Sequence, residues 1–209
     1  SFFGHDSNYL SAIVGVSQKI LNDINSIASA DILKIKIPYL IPSPKIKAKY
    51  KKNKFRIAYS GRFENQQKNI KDVIHTFAFI TKSLDNVSCH LYGSGSQLNY
   101  ILDYVKSNSL ETKIIYEGKF KSEELQKELV KNNVITLFSD YEGIPIAILE
   151  AMAVGVVPVC KYIESGLPEI IKDGETGYLL KNYQKDYLKI IKNISSNGDL
   201  WRKLSINAI

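Results

Sequence analysis

Two carboxylates stand in unusual company in the run YEGIPIAILEAMAVG (141–155). Glu142 lies in a short polar loop before Pro145, and Glu150 falls eight residues later among Ile146, Ala147, Ala153 and Val154. A carboxylate taken out of water without a partner costs several kcal/mol. Glu150 therefore either pairs with a group inside the chain, such as a buried lysine, or is kept for something that binds. Upstream, SGRFENQQKNI carries Arg62 and Lys68 in a loop before a helix. Guanidinium, ammonium and the free N–H groups of a helix start suit a diphosphate, although the same two cations read alone also fit an ordinary surface. Proline suits the first helical turn, so the amides of Gly143, Ile144 and Ile146 around Pro145 would face outward as an anion site. YGSGSQ (92–97) is a Gly93-x-Gly95 turn opening a helix, and small residues there let a ligand approach the backbone. Leu98 stands where a dinucleotide fingerprint needs another glycine, so no NAD site is supported. The loop YEGKF (116–120), with Lys119, has no signature of its own.

Such residues need strand ends and helix starts to hold them, and the chain supplies both in alternation from residue 55 onward. FRIAYSG (55–61), VSCHLYG (87–93), KIIYEG (113–118), VITLFS (134–139), VVPVC (156–160) and GYLL (177–180) read as strands. Helical spacing marks 69–84, 96–108 and 122–133, the last opening at Ser122 as N-cap, then a helix from Pro145 closed by Gly155, and two helices over 184–207. Apolar strands joined by helices imply βαβ units and a doubly wound parallel sheet, an α/β fold whose ligands bind beyond the carboxyl ends of the strands. Before residue 45 the series is looser: IVGVS suggests a strand leading into a helix, and ILKIKIPYLIPSP an extended segment stopped by prolines. The expected division is 1–48 as the tail of a preceding domain plus connector, and 49–209 as a Rossmann-like domain.

The chain has 209 residues, 44% hydrophobic and 23% charged, an ordinary globular composition. The start, SFFGHD, lacks a Met and any targeting pattern, so a fragment of a longer protein is expected. No apolar run is long enough to span a bilayer. Cys89 and Cys160 sit in apolar strand runs without a CxxC partner and read as buried reduced thiols of a cytosolic protein. The formal charge is +7, and six lysines crowd PKIKAKYKKNK (44–54). That stretch reads as a solvated linker or as an attraction to an anionic lipid or phosphate-bearing ligand; no recognition motif points to nucleic acid.

The run LFSDYEGIPIAILEAMAVGVVPVC…ESGLPEIIKDGETGYLL resembles the signature of the retaining GT-B glycosyltransferases that share an E-x7-E motif, the group 1 or family 4 type. Glu142 and Glu150 have its spacing, and SGRF…QQKN and YGSG lie where that family has them. Two departures are Asn69, where many members have Gly after the Lys, and the extra valine in GVVPVC. The resemblance implies that this chain is the C-terminal, donor-binding half of a two-domain enzyme of hexosyltransferase type. It implies that Glu150 accepts from the ribose hydroxyls, that Glu142 meets the transferred sugar, and that Arg62 and Lys68 hold the diphosphate with the amides of Gly143–Ile146. Gly61, Gly93, Lys119 and Pro145 complete the expected site. Fixed cations on the leaving diphosphate can replace a metal. No cofactor or metal is expected; Asp173-Gly-Glu175 reads as a turn.

The family's catalytic histidine belongs to the missing N-terminal domain, so His5, His75 and His90 are left unassigned, and the fragment is expected to bind donor with little turnover alone. The expected partners are a UDP- or GDP-sugar, an acceptor sugar or lipid-linked glycan, the missing N-terminal domain, and a membrane surface in peripheral contact at its cytoplasmic face. Surface polysaccharide or glycolipid synthesis is the implied setting. Two other readings stay open: a sugar-nucleotide epimerase of the same architecture, and a non-catalytic nucleotide-sugar-binding module.

Overall fold

The computed structural model describes residues 10–29, 31–42 and 44–209; His5 lies outside them. Two strands, β1 (Ala12–Gly15) and β2 (Leu33–Lys36), pair in parallel around helix α1 (Gln18–Asn25). This small βαβ unit leaves Val14, Leu33, Ile35 and Ile37 exposed.

The remaining strands form one sheet, all parallel. They are β3 (Phe55–Arg62), β4 (Val87–Ser94), β5 (Ile114–Gly118), β6 (Val134–Leu137), β7 (Val157–Lys161) and β8 (Tyr178–Leu180). Their order is β5-β4-β3-β6-β7-β8. The chain winds outward from β3 to β5, then returns to the middle to start again at β6. That doubly wound order leaves a crevice at the carboxyl ends of β3 and β6. Consecutive residues of β3 and β6 are buried, as strands covered on both faces require. The covering helices are α2 (Ile70–Ser83), α3 (Leu98–Ser107), α4 (Ser122–Leu129), α5 (Ile146–Ala153), α6 (Leu167–Ile170), α7 (Tyr183–Ser196) and α8 (Gly198–Ala208). Both cysteines are buried and free, and burial raises both thiols, so they stay protonated.

Three sequence expectations change. The helix expected over 122–133 starts one residue past its cap, Lys121, and ends at Leu129. It stops because Asn132 Nδ2 donates to the carbonyls of Glu128 and Leu129 and so satisfies the exposed helix end. Pro145 is the N-cap of α5 rather than a residue of its first turn. The lysine-rich connector is no loose linker. Ala48 N–H donates to Val154 O at 2.7 Å, Asn133 Nδ2 to Lys49 O at 3.1 Å, and Tyr50 packs on Phe55 and Trp201. Gly155 ends α5 as expected: at φ +77° it lets its own N–H reach Met152 O and the Val156 N–H reach Ala151 O, the two bonds of a Schellman stop.

Candidate functional site

The residues singled out for chemistry gather at the crevice between β3 and β6. Tyr59, fully buried, donates its hydroxyl to Arg62 O at 2.9 Å and fixes the end of β3. Burial, then the charge of Glu142, pushes that hydroxyl far above its usual range, so it remains a donor. Phe63, also buried, anchors the loop that follows. The loop is tied to its neighbour after β6 at several points. Asp140 N–H donates to Gln67 O at 3.0 Å, Gln67 Nε2 to Tyr141 O at 2.9 Å, and Asn69 Nδ2 to Phe138 O at 3.0 Å. Asn69 takes the left-handed conformation at φ 50°, ψ 44°. Asparagine tolerates that region better than other non-glycine residues, and its amide makes a bond glycine could not. The departure from the family's usual Gly thus keeps the turn.

Within this frame Lys68 Nζ and Glu142 Oε1 form an ion pair at 2.5 Å, with side chains only 13% and 9% exposed. The cation and the carboxylate expected to touch different parts of a ligand therefore meet each other. Arg62 is more open. Its guanidinium donates to Gln67 Oε1 at 2.8 Å and lies 3.4 Å from Glu64. Lys161 pairs with Asp140 at 2.5 Å; that bond holds the Asp140 carboxyl below its usual range, against the opposing effect of burial. Ser139 is buried with its hydroxyl unpartnered among the described residues.

Two lobes of about 430 Å³ each share Ser60, Gly61, Arg62 and Ala147 and make one continuous cleft. One lobe is walled by Lys68, Glu142, Ile144, Pro145 and Ile146, the other by Gly93 and Lys119. Gly143 and Glu150 line neither lobe. Gly143 O accepts from Gly166 N–H at 2.9 Å, and a side chain at Gly143 would meet Ile20 and Val16 of the small βαβ unit. Glu150 is 5% exposed and interacts within the chain. The cleft also contains residues that spacing did not flag: Tyr39 from the connector, and Tyr92, Phe120 and Leu125 around the second lobe. Tyr92 sits one position before a flagged glycine, but nothing in its own neighbourhood sets it apart from a core tyrosine. Its position on the cleft wall follows from the pairing of β3 with β4.

The Gly93-x-Gly95 turn also has a packing reason of its own. A Cβ at Gly93 would lie 1.9 Å from Gly61 O, and one at Gly95 would lie 2.5 Å from Phe63 O. The close approach is made by the chain's own backbone, which packs two strand-end loops together. His75 lies on the exposed side of α2, bonded to Tyr100 Oη at 2.9 Å, and His90 is buried in β4; neither lines the cleft. Asp173 is in a turn, its carboxylate accepting from Leu179 N–H at 2.9 Å.

The family profile described as "Glycosyl transferases group 1" matches residues 42–209. Among curated proteins, the N-acetyl-alpha-D-glucosaminyl L-malate synthase of Bacillus anthracis is 34% identical over 54% of this chain and 28% of its own length. The lipopolysaccharide 1,6-galactosyltransferase of Escherichia coli K12 is 25% identical over 82% of this chain and 47% of its own. The chain thus spans less than half the length of these relatives. A crystal structure of a point mutant of S. aureus TarM, in complex with Fondaparinux, alpha-GlcNAc-glycerol and UDP, superposes with a TM-score of 0.87 at 22% identity. It covers 99% of this chain and 41% of that one.

Proposed function

The chain belongs to the group 1 glycosyl transferases, and from that premise we propose that it is the donor-binding half of an enzyme transferring a sugar from a nucleoside-diphosphate sugar, with retention. The observation that carries this reading is the Lys68–Glu142 pair, set at the mouth of the strand-order reversal beside Arg62 and the start of α5. Lys68 spends one of its three N–H donors on Glu142 and keeps two for a ligand. In this reading Lys68 and Arg62 hold the diphosphate and take up the charge that develops on it as the glycosidic bond breaks. No metal is invoked for that step. Glu142, oriented by Lys68, accepts from hydroxyls of the transferred sugar. Glu150 supports the nucleoside side, sharing its carboxylate between its present partner and the ribose. The acceptor site and the group that activates the acceptor belong to another part of the whole protein. Relatives named for lipopolysaccharide and poly(ribitol-phosphate) transfer support a role in surface-glycan synthesis.

Calorimetric titration with UDP, GDP and their sugars tests this. Arg62→Ala and Lys68→Ala are expected to weaken nucleoside-diphosphate binding about tenfold each, the value of one charge-assisted contact. Glu142→Gln is expected to spare UDP while weakening the UDP-sugar, and Glu150→Gln to weaken both. No measurable nucleotide binding, or binding indifferent to Arg62 and Lys68, would overturn the assignment.

A further inference from the structure

The opposite end of the sheet carries a second cationic site. A pocket of about 200 Å³ is lined by Lys49, Lys51, Lys54, Arg56, Lys131 and Asn133. Arg56 is the second residue of β3 and Arg62 its last, so this pocket lies about 20 Å from the donor cleft at the usual strand rise. Its lysines sit on a pinned backbone. Asn133 Nδ2 holds Lys49 O, the Lys54 N–H bonds Lys51 O at 3.2 Å, and Asn86 Nδ2 bonds Lys52 O at 2.9 Å. Five cations thus converge on one concavity. The paired carboxylates there are Glu128 on Lys131 and Glu117 on Arg56, which leaves the balance positive. Arg56 Nε is buried and has no partner among the described residues. Like charges held this close repel, and an anion relieves that repulsion.

We propose that this pocket binds a phosphate group. Its size suits a small anion, and several ammonium groups with a guanidinium match the several oxygens of a tetrahedral anion better than a single carboxylate. The phosphate can be free or belong to a lipid headgroup. Ile46 and Leu40 stand exposed on the same connector, and Lys127 flanks Ile46 across a neighbouring apolar groove, as a surface lying on a membrane would have them.

The test uses the 209-residue chain and two probes. Inorganic phosphate is titrated while backbone NMR signals of Lys49, Lys51 and Asn133 are followed beside those of Ile144 and Ile146 in the donor cleft. Co-sedimentation is then measured with phosphatidylcholine vesicles, with and without phosphatidylglycerol. Phosphate is expected to shift the first group of signals, and Lys49→Ala with Lys51→Ala to abolish those shifts. If the source is a lipid, partitioning onto phosphatidylglycerol vesicles falls about fivefold for each lysine removed at low salt, and not for Lys185→Ala. Shifts in this pocket without vesicle binding assign a free phosphate. Phosphate shifts absent from this pocket, or pocket shifts that survive the double substitution, overturn the proposal, whereas vesicle binding that survives it assigns the pocket a free phosphate. Because the cleft signals are read in the same titration, failure here is separable from failure of the donor site.

Discussion

Lys68 and Glu142 show how a site can be assembled before any ligand arrives. Each is nearly buried, and the pair holds both charged groups in one place on the cleft wall. The glycines around them work by absence. Gly93→Ala puts a methyl group on the carbonyl of Gly61 and should cost more than about 3 kcal/mol in urea unfolding. Gly118, at φ +103° with open space around it, is the control: its alanine variant should lose only the backbone strain, about 1 kcal/mol. Equal losses at the two positions would show that the close approach to Gly61 is not what Gly93 is for.

At the scale of elements, α6 is tied to the small βαβ unit. Glu169, just before the end of α6, accepts from the backbone N–H groups of Gln18 and Lys19, both at 2.9 Å, and from Lys36 Nζ at 2.8 Å. Burial alone would raise its carboxyl; the Gln18 N–H, Lys36 and the Lys19 N–H together bring it below the usual range. Ser17 Oγ takes the next amide, Ile20, so α1 is capped partly by its own chain end and partly by a residue far along the sequence. Glu169→Ala should therefore cost about 1–2 kcal/mol, the range of a lost cap. Faster amide exchange should be confined to 18–25 and leave β3 and β6 protected. Uniform exchange across the domain would mean that Glu169 supports the sheet instead. Helix α5 gives the complementary lesson: its Schellman stop was legible from Gly155, whereas the early end of α4 depends on where the Asn132 amide lands.

For the whole molecule, the buried histidine on β4 makes stability depend on pH on the acid side. His90 donates or accepts between Glu117 at 2.7 Å and Ser88 at 2.9 Å, with Arg56 3.0 Å from the same Glu117. Burial, then Arg56 and more weakly Lys54, pushes its pKa from 6.5 down to about 4, against the pull of Glu117. Between those values the unfolded chain binds a proton that the folded chain does not. This contribution to stability is full above pH 6.5 and lost as pH falls toward 4, with a slope of up to about 1.4 kcal/mol per pH unit. His90→Gln should flatten that limb in chemical denaturation measured across the window. A limb of unchanged steepness would place the acid sensitivity elsewhere.

The sequence by itself determined the α/β alternation, the parallel sheet and the cluster of Arg62, Lys68 and Glu142 at strand ends. Apolar strands, helical periods and strand-end loops are local patterns, and a doubly wound sheet brings such loops to one edge. The tertiary structure alone decided which groups meet. It paired Lys68 with Glu142, buried Glu150, packed the Gly93 turn on Gly61, and folded a lysine-rich connector into a pocket against Arg56 and Lys131. These outcomes depend on contacts between segments dozens of residues apart. Spacing along the chain fixes direction and periodicity, but distance across a sheet is set only when the strands take their order.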